Sequence, residues 1–167
     1  MLQGVLTMTV GTVGVLSGGR LADAMVRRGI SDGAVRVGII GAAGMLVSAT
    51  AYPLTDSAAV AVAWLVVVNF FAAFPWGAAS AATADALPGS MRAQGSAIFY
   101  LVLNLISFAL GPWVVAAITE HVFQSEAALG AALAVVNIFG MVGAIALFIF
   151  GLPAYRKTIA QRDGART

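Results

Sequence analysis

Charged residues punctuate this chain sparsely, and between them lie five stretches without Asp, Glu, Lys or Arg: Met1 to Gly19, Val37 to Thr55, Ser57 to Ala84, Ala93 to Thr119, and Ala127 to Tyr155. A helix needs roughly 20 apolar residues to cross a bilayer. The shortest stretch, 19 residues, reaches about 28 Å at the helical rise of about 1.5 Å per residue, close to the hydrocarbon thickness. The pattern predicts an all-α integral membrane protein of five transmembrane helices, with spans at about 1–19, 37–55, 57–84, 93–119 and 127–155. A polar, charged C-terminal tail, 156–167, follows the last span.

The few polar positions inside the spans are spaced as helix faces. In the first span Gly4, Thr7, Gly11, Gly14 and Gly18 recur at steps of three and four, which strips one face of side chains and suits close helix packing. Asn69, Ala73, Trp76, Ser80 and Thr83 form a stripe on the third, where Pro75 lies about ten residues before Asp85 and therefore near mid-bilayer. A proline there bends the helix, either beside a solute path or as a packing kink. The fourth span carries Ser96, Tyr100, Asn104, Ser107 and Gly111 on one face, suited to a cavity or to interhelical hydrogen bonds. Asn137, among Gly130, Gly140 and Gly143 of the fifth, reads as a packing residue. No ionisable side chain lies at mid-depth in any span, so a coupling carboxylate would have to lie elsewhere.

Composition strengthens the membrane reading, because 10% charged and 60% hydrophobic residues cannot clothe a water-facing surface that ordinarily carries roughly 25% charge. The pI of about 9.5 does not point to nucleic acid, since the net charge is only +2 and no basic stripe interleaves with aromatics. Without cysteine there is no thiol catalysis, disulfide or thiolate site. The one histidine, His121, sits beside Glu120 in a polar loop, and a single histidine does not make a metal site. Neither cofactor nor enzyme activity is expected, because no nucleophile, base and orienting group can be assembled from this set.

Basic residues supply an independent test of topology. Arg20, Arg27, Arg28 and Arg36 follow the first span, Arg92 follows the third, and Arg156, Lys157, Arg162 and Arg166 follow the fifth; the loops at Asp56 and at Glu120 to Glu126 contain none. All nine on one side predicts an N-terminus outside and a C-terminus in the cytoplasm, in a plasma or inner membrane. Met1 opens into an apolar run without a basic n-region or cleavage site, so the run is read as a span and not as a secretory signal. An odd number of spans with no leader also suggests a fragment.

In the first basic loop, Gly19-Arg20-Leu21-Ala22-Asp23-Ala24-Met25-Val26-Arg27-Arg28 resembles the loop signature of the major facilitator superfamily, Gly-x-Leu-Ala-Asp-Arg-x-Gly-Arg-Arg. Ala24 and Val26 depart from the usual basic residue and glycine, as suits the weaker copy of the signature between the eighth and ninth helices. Asp85, Pro88 and Arg92 resemble the family's acidic-x6-arginine loop between the tenth and eleventh. Met91-Arg92-Ala93-Gln94-Gly95-Ser96-Ala97-Ile98, Asn104-Leu105, Leu110-Gly111-Pro112 and Ile118-Thr119-Glu120-His121-Val122-Phe123 are similar to the spinster-like branch, with Glu120 in place of its aspartate.

The resemblance implies helices eight to twelve of a twelve-helix secondary transporter, part of its C-terminal six-helix bundle, with the N-terminal half of the transporter and the lipid bilayer as partners. It implies a small or amphipathic solute of unknown identity, held in a cavity whose candidates here are Asn69, Trp76, Tyr100, Asn104 and Ser107. It also implies a cytoplasmic charge latch among Asp23, Arg27, Arg28, Asp85 and Arg92, the alternative for the arginines being contact with lipid phosphates. The competing class is a stand-alone five-helix membrane protein with a structural or assembly role.

Overall fold

A computed structural model describes residues 2–86, 91–120 and 129–164, and among these all regular structure is helical. The first helix, α1, comprises Leu2–Leu6, a π-helical turn Thr7–Gly11, and Thr12–Arg27. Helix α2 is Gly33–Ala51, closed by a 3-10 turn Tyr52–Leu54; α3 is Ala58–Ala86, α4 is Arg92–Ile118 and α5 is Leu129–Gly164. All five are long and apolar enough to cross a membrane.

Helix ends and span ends do not coincide. Uncharged sequence stops at Gly19, yet α1 continues to Arg27, because Leu21, Ala22, Ala24 and Met25 are helix formers and backbone hydrogen bonding does not depend on lipid. It stops at Gly29, whose φ of 82° is one that a side chain disfavours. There the amide of Gly29 bonds the Val26 carbonyl at 2.9 Å and that of Ile30 bonds the Met25 carbonyl at 3.0 Å, a Schellman closure that satisfies the last carbonyls. At the other end of the chain α5 runs to Gly164, through positions 156 to 164 that the charge pattern assigns to a tail. Its 36 residues extend over about 54 Å, well beyond a hydrocarbon core of about 30 Å.

The helices pack unequally. Helix α3 lies against both α1 and α2, and α2 lies between α3 and α5. Val37, Phe74, Ala78 and Ala22 form the core where α1, α2 and α3 meet, with Phe70 and Phe71 against them. Rings of Phe70, Phe71 and Phe74 meet edge-on or tilted at centroid distances of 5.2 to 6.1 Å. Helix α4, by contrast, packs only sparsely against α3 and α5, and none of its span is buried.

The glycine face of α1 finds its partner within the chain. A Cβ on Gly14 would stand 2.5 Å from the Phe70 carbonyl oxygen, and one on Gly18 would collide with that of Phe74. The two backbones are therefore in direct contact, the arrangement that dispersion favours where lipid removes any hydrophobic drive between helices. Gly18→Ala should lower unfolding stability in mild detergent by about 1–3 kcal/mol, the usual cost of overpacking. Gly19→Ala, whose Cβ would meet open space, should be neutral or gain up to about 1 kcal/mol from helix propensity. Equal losses in a denaturant titration of the two variants would contradict the close approach of α1 and α3.

Candidate functional site

Buried amides are costly in an apolar interior unless bonded, and Asn69, 7% exposed, satisfies this between two helices. Its Nδ2 donates to the Leu65 carbonyl at 2.7 Å within α3. Its Oδ1 accepts from the Thr7 hydroxyl at 2.8 Å and from Gln3 Nε2 at 3.4 Å, both on α1. Thr7 stands at the start of the π-helical turn, a local widening that recurs at functional positions.

Above this junction a groove of about 490 Å³ opens between α1 and α3, lined among others by Thr7, Thr12, Asn69, Ala73 and Trp76. Trp76 is 42% exposed, and its ring stacks on that of Tyr100 at 5.9 Å and 15°. This stack is a link between α3 and the otherwise loosely held α4. One turn along α4, Asn104 donates to the Tyr100 carbonyl at 2.7 Å and is exposed, as is Ser107. Of the five cavity candidates, Asn69 and Trp76 share the groove, Tyr100 joins through its ring, and Asn104 and Ser107 lie outside its lining. The groove offers hydroxyls, an amide and aromatic faces without charge, suited to an amphipathic solute. Among the described residues no three His, Asp or Glu side chains converge.

Asn137 makes a second interhelical stitch, from α5 to α2, with Nδ2 at 2.8 Å from the Thr50 hydroxyl and 3.3 Å from the carbonyls of Met45 and Leu46. That agrees with its sequence reading as a packing residue.

The structure shows a charge cluster that the sequence reading did not single out. Asp23, Arg27 and Arg28 are exposed and make no ion pair among the described residues; the side chains of Asp85 and Arg92 lie outside the described residues. Instead Asp32, 2% exposed, is gripped from two helices. Arg36, one turn into α2, places Nε 3.2 Å from Oδ1, and Arg156 on α5 places Nε and Nη2 at 3.0 and 2.6 Å from Oδ2. Two cues were present in the sequence: the i, i+4 spacing of Asp32 and Arg36, and an acid set among basic residues at a helix start. Its second partner, Arg156, 124 positions away, had no local signal.

Compared with models of known families, with curated proteins and with solved structures, the chain matches none. The fold and its junctions define a helical chain with five helices able to span a membrane, held by interhelical polar contacts.

Burial alone would raise the Asp32 carboxyl, but hydrogen bonds from Arg156 and Arg36 outweigh it and hold the group below its ordinary value of 3.8. Because the folded value is depressed, the contribution to stability is complete above 3.8 and is lost as pH falls through the folded value. Asp32→Asn should therefore cost about 1–3 kcal/mol at pH 7, the range for charge-assisted hydrogen bonds. That deficit should shrink as pH falls below about 4, where carboxylates protonate. Thermal unfolding in detergent across pH measures both; a gap that stays constant into acid would exclude the depressed carboxylate.

Proposed function

We propose that the chain is the C-terminal portion, helices eight to twelve, of a secondary transporter of the major facilitator class and spinster-like branch, moving a small or amphipathic solute. The observation that carries this reading is the uncharged, largely apolar groove at Asn69 and Trp76, with polar groups at Thr7, Thr12 and Asn69, extended toward α4 by the Tyr100 stack and open along one side. In such transporters substrate is held near mid-membrane between two helical halves. A groove walled on one side by α1 and α3 and open on the other is what one such half presents. Helix α4, with Asn104 and Ser107 exposed, supplies a polar face for the same interface. In this reading the N-terminus is outside, the C-terminus is in the cytoplasm, and the membrane is a plasma or inner membrane. Asp23, Arg27, Arg28, Asp85 and Arg92 remain the proposed closing charges of the cytoplasmic side. Transport requires the companion helices.

Two measurements test the reading. The chain has no cysteine, and Ser31 and Ser57 are exposed at opposite ends of α2; Ser31→Cys should label only from the cytoplasmic side and Ser57→Cys only from outside. Labelling from one shared side would refute the topology. In vesicles holding this chain together with its companion helices, Asn104→Leu should reduce uptake of amphipathic fluorescent solutes several-fold more than Asn137→Leu, at equal membrane abundance. Equal effects, or no uptake of any solute by the unmodified protein, would remove the transport assignment.

A further inference from the structure

The grip on Asp32 leaves both arginines with unused donors. A guanidinium carries five N–H groups, of which Arg36 spends only Nε and Arg156 only Nε and Nη2 on Asp32. Their side chains are 43% and 51% exposed. One carboxylate between two guanidiniums leaves the cluster with a net charge of +1, and exposed Lys157 follows Arg156 in sequence. Immediately beside these residues in sequence, Val35 and Tyr155 line an apolar cleft of about 360 Å³ that continues past Gly38, Ala79, Phe99 and Phe148. Phe99 is 42% and Phe148 37% exposed, so the cleft opens sideways, where α4 hardly touches its neighbours. Cationic donors at the end of the bundle thus stand one residue along α2 and α5 from Val35 and Tyr155, which line a greasy slot between the helices.

We propose that this end of the bundle binds one anionic phospholipid, its phosphate held by the Arg36 and Arg156 pair and one acyl chain lying in the cleft between α2, α3, α4 and α5. The arginine pair selects the headgroup, and the cleft distinguishes a held lipid from those that merely surround the protein. The bound lipid fills the gap left by the loose seat of α4. This site is separate from the α1 and α3 groove and does not depend on the transport reading.

Native mass spectrometry of the protein in mild detergent, titrated with phosphatidylglycerol or with phosphatidylcholine of the same chains, tests the site. One phosphatidylglycerol should be retained at about fivefold lower concentration than phosphatidylcholine, the factor that one net basic charge near an anionic headgroup gives. Combining Arg36→Gln, Arg156→Gln and Asp32→Asn removes all three charges without leaving a buried one unpaired, and should abolish the preference. Ala79→Leu, which fills the cleft and leaves every charge in place, should weaken retention of both lipids several-fold. Arg27→Gln with Arg28→Gln, outside the site, should leave the preference unchanged. Persistence of the preference in the triple variant, or its loss in the Arg27 and Arg28 variant, would overturn the assignment to Arg36 and Arg156. Equal retention of both lipids by Ala79→Leu and the unmodified protein would overturn the acyl slot, as would displacement of the lipid by glycerol phosphate at equal concentration.

Discussion

Nothing in a bilayer interior can hydrogen-bond a peptide group, and nearly every feature of this chain follows from that constraint. Backbone polarity is satisfied within each span, so the spans are helices. The same solvent removes the ordinary reason for helices to associate, since lipid is as apolar as leucine. Association then depends on close backbone approach and on a few polar bonds, and both occur at identifiable positions. Gly14 and Gly18 admit the carbonyls of Phe70 and Phe74, while Asn69 and Asn137 each bond across to a neighbouring helix.

Helices α2 and α3 carry most of this association, and α4 carries little of it. The difference has a chemical basis. Facing surfaces of α1, α2 and α3 offer glycines opposite aromatic rings and backbone, whereas Gly111 of α4 meets nothing within 4 Å. What holds α4 is an aromatic stack of Trp76 on Tyr100 and sparse packing on α3 and α5. A helix seated this loosely leaves the apolar cleft toward α5 open beside it, while the groove at Asn69 lies between α1 and α3.

Charge is confined to the ends of the bundle, as desolvation demands, yet one carboxylate is still buried there. Asp32 is sustained by two half-exposed arginines, so the desolvation cost falls on a single ion while its partners remain hydrated. The contact ties the far end of α5 to the junction of α1 and α2. It also gives a physical role to the helical extension beyond Tyr155, which lipid does not require.

Sequence by itself determined the number of helices and their approximate limits, because the cost of placing a charge in hydrocarbon is local and can be read residue by residue. It also determined that the face of Gly14 and Gly18 would pack and that Asn137 would stitch helices, since small and amide side chains in lipid have few other uses. Only the tertiary structure decided which helix receives that glycine face, that Asn69 bonds Thr7, and that α1 and α5 continue past their uncharged stretches. The partnership of Asp32 with Arg156 belongs to the same class. Its two residues are separated by three whole helices and share no pattern; their meeting is set by how the bundle closes, a property of the whole chain and not of any segment.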